Sequence, residues 1–396
     1  MNPSLSNFIA FLRWFSAFLV VLGHCAHILI VDKHLISNPG LATRLLYGIT
    51  SLGHSAVMVF FVVSGYLVGG ITLDKWLARG PNIPDYAISR FSRIYVVLVP
   101  ALIIGYALDY AGMTWFNGAE LYTNSIKYDV GSLSSSVELR LGLKAFIGNV
   151  LMLETVAVES LGSNGPLWSL AYEWWYYCLF CLVVGGVLSK GCLRVLMLLC
   201  LPVFIWALPT NLFVLGVIWL MGIATYFAVK KAKFPPTPVV GLVVLIVALI
   251  AAVLSQNPDN LHHPESMWAS FARDCIVALA LCFALLCFAR ADGRWFQGSF
   301  HQWAAGFSYS ICLFHFPMML FLVAAANNLF GWPFLMPPSL RSLTYLIALV
   351  ALLYMLGYLY SLATERYTDV IKSLLRRGLL RAPIITRIFN SSRELA

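Results

Sequence analysis

The chain has 396 residues, 60% hydrophobic and 11% charged, with a formal net charge of +9 and a mean hydropathy of +0.83. Soluble globular proteins carry about a quarter charged residues, so this composition excludes soluble fold classes and points to a polytopic membrane protein. The basic excess then reads as loop charge at a membrane surface rather than as a nucleic-acid-binding surface.

A bilayer core takes about 20 apolar residues per helix. Ten runs approach that length, in chain order 8–31, 47–70, 93–112, 166–188, 193–209, 211–229, 237–255, 267–289, 303–329 and 340–362. No basic n-region or small-residue cleavage site precedes the first, so no removable signal peptide is expected. The segment 113–165 is long and mixed, and its "LKAFIGNVLML" predicts a short re-entrant or interfacial helix. "FPPTP" and "MPPS" mark tight connections, because proline ends helices. The cysteines all lie in or beside apolar runs. The one C-x-x-C, Cys178 and Cys181, has no second pair, so packing is a better reading than zinc or redox chemistry. One set of loops, with the C-terminal tail, holds eighteen Lys and Arg, among them Lys127's counterparts Lys75, Arg294, Arg381, Arg387 and Arg393; the opposite set, which includes Lys127, holds six. The positive-inside rule places both termini in the cytoplasm. The expected fold is therefore an all-α bundle of about ten transmembrane helices, with a transmembrane domain over 1–365 and a basic cytoplasmic tail over 366–396.

Charged and imidazole side chains are costly in hydrocarbon and need a partner or a task. Arg13 and His24 are eleven residues apart in the first run. At 3.6 residues per turn that spacing returns to within about 20° of one face, ~16 Å further along. Arg13 falls near the cytoplasmic end, where it reads equally as a snorkelling anchor, and His24 falls about two thirds of the way across. His27 lies one turn further, where an interfacial structural role suffices. In "GSNGPLWSLAYEWWYY", Gly162 to Tyr177, the carboxylate of Glu173 sits about two turns into the fourth run. The expectation is that it lies at the depth of His24 and orients that imidazole as a base, or else staples two helices as an ion pair.

"ISRFSRIYVVLVP", Ile88 to Pro100, carries Arg90 and Arg93 at the cytoplasmic edge. They are either positive-inside charge or a clamp for phosphates. In "GHSAVMVFFVVSGYLVGG", Ser64 and Gly65 read as small packing residues, and His54 lies where it can join a polar pocket. Ser64 completes no G-x-S-x-G elbow and is disfavoured as a nucleophile. In "FSYSICLFHFP", Pro317 should free a carbonyl for a polar partner, with His315 two residues before it.

With these motifs in this order, the chain resembles the acyltransferase-3 family of integral membrane acyltransferases. The resemblance rests on Arg13 and His24 with ten residues between them, "FFVVSGYL", "SRFSRIY", "NGPLWSLAYEWWYY" and "SYSICLFHFP", over roughly residues 8 to 320. It implies an acyl-coenzyme A donor from the cytoplasm, usually acetyl-CoA, and a hydroxyl acceptor on an extracytoplasmic glycan or lipid-linked sugar. It also implies His24 as the catalytic residue, with the arginines as donor contacts. Joined to the residue reading above, the expected catalytic group is His24 with Glu173 and Arg13; Arg90, Arg93 and Tyr66 are expected to contact the donor, and His54, Asn164, Trp168 and His315 to line the substrate pocket. No metal is expected. The implied setting is a bacterial cytoplasmic (inner) membrane, among lipids and glycan-assembly proteins. One departure is Val96 after Tyr95, where relatives often have proline; here proline arrives at Pro100. The competing class is a transporter or flippase for a glycan or small solute, since midplane polar residues beside broken helices mark those proteins too. No inverted repeat supports it.

Overall fold

A computed structural model of the chain describes residues 2–124, 128, 136–233, 237–256, 265–292 and 295–380. Lys127, most of "FPPTP", Arg294 and the tail from 381, with Arg381, Arg387 and Arg393, lie outside the described residues. The described residues are helical, without a strand.

The helices are α1 (Pro3–Leu29), α2 (Leu41–Thr50), α3 (Gly53–Ser64), α4 (Ile71–Arg79), α5 (Ile83–Trp115), α6 (Leu143–Val150), α7 (Trp168–Phe180), α8 (Gly186–Leu188), α9 (Gly191–Ala207), α10 (Thr210–Lys231), α11 (Pro238–Leu254), α12 (Met267–Phe288), α13 (Ser299–Gly306), α14 (Ser308–Phe330), α15 (Leu340–Ala363) and α16 (Thr368–Leu380). Eight spans are long and apolar enough to cross a membrane; α9 and α11, 17 residues each, coincide with two further apolar runs but are shorter. The structure thus supports eight spans by length, where ten runs were expected. A short helix does form where a re-entrant or interfacial one was expected after the third run: it is α6.

Local sequence explains several boundaries. Helix α5 starts well before its apolar run because Asn82 caps it, accepting from the Asp85 amide at 3.2 Å, with Pro84 in the first turn. The run 303–329 is broken at Phe307, whose backbone leaves the helical region between α13 and α14. Six residues, Gly65–Gly70, form a π-helical turn that joins α3 to α4, and Cys181–Gly185 form a second one after α7.

Helix α1 is central, packed against α3, α13, α14 and α15. Phe8 at its start is fully buried and stacks on Phe288 of α12 with ring centroids 4.1 Å apart. Between membrane helices water gives little driving force, so close backbone approach matters most. The tightest approach joins α3 to α10. A Cβ on Gly65 would overlap the Trp219 carbonyl, and one on Gly222 would overlap the Val62 carbonyl. Two facing glycines therefore bring α10 against the "VSGYL" turn.

Candidate active site

A cavity of about 1260 Å³ follows α1 from Arg13 to its end, and both Arg13 and His24 line it. The eleven-residue spacing does place them on one face. Towards the start of α1 the wall includes Arg90, Arg93 and Lys372; beyond its end it includes Asp32 and Lys33.

His24 is held from behind. Its Nδ1 lies 2.8 Å from His315 Nε2, and the two rings are nearly parallel, 8° apart. His315 is fully buried, and its Nδ1 faces the carbonyls of Ile311 at 3.0 Å and Cys312 at 2.9 Å. Carbonyl oxygens only accept, so His315 Nδ1 carries a hydrogen and donates it. In the neutral ring its Nε2 is then an acceptor, and His24 donates from Nδ1. The remaining nitrogen of His24, Nε2, keeps its lone pair. Two carbonyls on α14 thereby select the tautomer of a side chain on α1.

Glu173 is therefore not the residue that orients His24. Its carboxylate accepts from the Tyr177 hydroxyl one turn along α7. Ser64 and Tyr177 are 3.1 Å apart, and Trp219 Nε1 donates to Ser64 at 3.2 Å. The consistent direction is Trp219 to Ser64 to Tyr177 to Glu173, each group donating to the next and the chain ending on the carboxylate. The Gly65–Gly222 contact is what lets the Trp219 indole reach Ser64. Ser64 thus has its proton committed to Tyr177.

The paired arginines differ in their partners. Arg93 meets Glu365 at 2.6 Å, and Glu365 also accepts from Ser310 at 2.8 Å. Arg90 lies against the Tyr177 and Tyr86 rings, 5.7 and 6.0 Å from their centroids; its Nε is buried without a hydrogen-bond acceptor, and it has no ion pair among the described residues. Arg13 likewise has no hydrogen bond or ion pair there, although Arg93, Glu365 and Glu173 act on it electrostatically. The free guanidinium groups of the cavity are thus Arg13 and Arg90, where Arg90 and Arg93 had been expected to act as a pair.

The other expected pocket residues divide. His54 and Trp168 line the cavity, their rings stacked at 6.4 Å, and His54 Nε2 meets Asp274 at 3.0 Å. His315 stands behind the wall, as described. Asn164 is buried and donates to the Leu313 carbonyl at 2.9 Å. Leu313 lies four residues before Pro317, so this is the carbonyl that the proline deprives of its helical donor. Asn164 closes the gap and is a clamp on α14 rather than a pocket wall. Tyr66 is also outside the wall, buried edge-on against Tyr226 at 5.4 Å; the π-helical turn directs it to α10.

Four residues here were missed in the sequence. Asp109, buried in α5, accepts from the Ser163 amide at 2.7 Å and hydroxyl at 2.8 Å. Gly162 just before has φ +57, and a Cβ there would overlap the Asp109 carboxylate. This knot fixes the loop that carries Asn164 and leads into Trp168 at the start of α7. A lone aspartate in the third apolar run was the signal for it. Asp274 carried the same signal in the eighth run. Glu365, just past the tenth run, and Lys372, in the basic tail, gave none. Arg273, also within an apolar run, is matched by Glu265 through two bonds at 3.1 and 2.7 Å. Among the described residues no cluster of three potential metal ligands occurs.

Comparison with known proteins gives a family match over residues 6–376, to a model described as an acyltransferase domain. An O-acetyl transferase of Shigella phage Sf6 is 29% identical over 162 residues, 41% of this chain and 42% of the relative. The acyltransferase MdmB of Streptomyces mycarofaciens is 28% identical over 181 residues, 45% of this chain and 38% of the relative. An uncharacterized protein of Haemophilus influenzae is 29% identical over 158 residues, covering 58% of that protein. The chain matches about two fifths of the length of the two named acyltransferases. No solved structure matches.

Proposed function

Because the chain belongs to the acyltransferase-3 family, we propose that it is a membrane O-acyltransferase, moving an acetyl group from cytoplasmic acetyl-coenzyme A to a hydroxyl of an extracytoplasmic glycan or lipid-linked saccharide. The observation that carries this reading is that one cavity holds both the base-competent face of His24 and two unmatched guanidinium groups. The loop-charge bias supports cytoplasmic termini, the family resemblance points to a bacterial inner membrane, and α9 and α11 would complete a bundle of about ten helices. The name of one relative, an O-acetyl transferase, supports transfer to oxygen, and that of another, an acyltransferase, supports acyl transfer.

In this mechanism coenzyme A enters from the end near Arg90, with its phosphates beside cations and its pantetheine arm running along α1 past Arg13. An acceptor sugar approaches from the other end, along Trp168 and His54. A hydroxyl is too weakly acidic to attack a thioester unaided. His24 Nε2 takes the hydroxyl proton as the oxygen adds to the thioester carbonyl. The tetrahedral intermediate collapses, the C–S bond breaks, and the coenzyme A sulfur leaves with the proton from His24. His315 holds Nδ1–H throughout, as the orienting group of a triad does. Arg13, ~16 Å from His24 along the helix, is a donor contact rather than a group at the reacting carbon.

The test is transfer from labelled acetyl-CoA to candidate glycans by the purified protein. His24→Ala should abolish transfer while the protein still inserts and accumulates. Normal transfer by that variant would overturn the assignment, and solute uptake into liposomes without any transfer would favour a transporter.

A further inference from the structure

Helix α16 lies beside the start of α5 and is pinned to it twice. Arg376 pairs with Asp85, and just before α16 Glu365 pairs with Arg93. Both pins are ion pairs already matched. Between them in α16 stands Lys372, which lines the cavity together with Ser89 and Arg90 of the facing stretch of α5. Lys372 has no hydrogen bond or ion pair among the described residues. Thr368, one turn earlier and also in the wall, has a buried hydroxyl without a partner. The acids of this rim are Glu365, matched by Arg93, and Asp369, which is exposed.

Unmatched cations, an unsatisfied buried hydroxyl and the buried Arg90 Nε at one end of the cavity are the complement of a phosphate monoester or diphosphate. We propose that α16 completes the donor end of the cavity as a phosphate subsite: beside Arg90, already read as a donor contact, Lys372 holds a nucleotide phosphate of the acyl donor and Thr368 donates a hydrogen bond to it. The proposal rests on the acyl-coenzyme A reading above. It makes Lys372 a specificity residue that distinguishes a phosphorylated thioester donor from a bare one, and it gives the post-bundle helix a part in the donor site.

The experiment compares three donors, acetyl-CoA, its 3′-dephospho form and S-acetylpantetheine, with wild type, Lys372→Ala and Lys372→Arg. One charge-assisted bond to phosphate is worth about tenfold in affinity. In Lys372→Ala the KM for acetyl-CoA should rise about tenfold with kcat unchanged, the KM for S-acetylpantetheine should not move, and Lys372→Arg should restore most of the loss. Equal effects on acetyl-CoA and S-acetylpantetheine, or no effect on either, would overturn the subsite while leaving acyl transfer in place. A wild-type protein that uses none of the three donors would overturn the transfer reading and the subsite with it.

Discussion

Replacing His315 tests whether His24 is a base whose tautomer is set from behind. In His315→Leu the volume is largely kept, but the His24 Nδ1–H loses its acceptor at 2.8 Å. Loss of the orienting carboxylate of a triad costs up to ~10⁴-fold in kcat, a figure that includes the field of a charge which a neutral imidazole does not supply. What remains is a buried donor without a partner, about 1–3 kcal/mol, and each ~1.4 kcal/mol is a factor of ten in rate. His315→Leu should therefore lower kcat about 100-fold, with the donor KM changed less than about twofold. His315→Gln restores an amide oxygen near the position of Nε2 and should lose less than about tenfold. The assay is release of the coenzyme A thiol in detergent solution, followed with a colour-forming thiol reagent and paired with a thermal melt. A folded leucine variant with wild-type kcat would refute the reasoning, as would leucine and glutamine variants equally impaired at unchanged stability.

Gly65→Ala drives a methyl into the Trp219 carbonyl and should destabilise by about 1–3 kcal/mol, as overpacked cores do, read as a lower melting temperature and lost detergent-stable yield; a variant that melts like wild type would show that α3 and α10 do not meet there. Asp109→Asn turns one acceptor into a donor facing Ser163 and should cost about 1–3 kcal/mol, with acceptor KM rising because the loop leading into Trp168 loosens; Asp109→Asn kinetics equal to wild type would disconnect that loop from the site. Glu154 lies outside the membrane spans, and burial pushes its carboxyl well above the usual carboxylate range. Its folded form holds the proton more tightly than the unfolded chain, so its contribution is present at low pH and is lost as pH rises through the raised value. Stability should therefore decline as pH rises above the usual carboxylate range and level off beyond the raised value, and Glu154→Gln should flatten that decline; an unchanged pH–melting profile would refute it.

The sequence revealed the shared face of Arg13 and His24 because helical periodicity is local. It also revealed that Pro317 would free a carbonyl, though not that Asn164 would fill it. Glu173 was assigned to His24 on depth alone, and depth does not fix azimuth: Glu173 points along its own helix to Tyr177, while the true partner is His315, 291 residues away. The arginine pair looked symmetric in "SRFSR", and only the fold shows that Glu365 matches one of them. Contacts between helices depend on rotation and crossing geometry, which composition and spacing do not encode.

The cavity along α1 reaches from Arg13 to Ile30, ~26 Å at 1.5 Å per residue, close to the ~30 Å of a hydrocarbon core. Filled with water, such a path would let protons short-circuit the voltage across the membrane. At the end near the start of α1, Arg13, Arg90 and Lys372 set a local positive potential, which turns away hydronium and metal cations there while it draws in a polyanion. The same charges that suit a phosphorylated donor thus serve as electrical insulation.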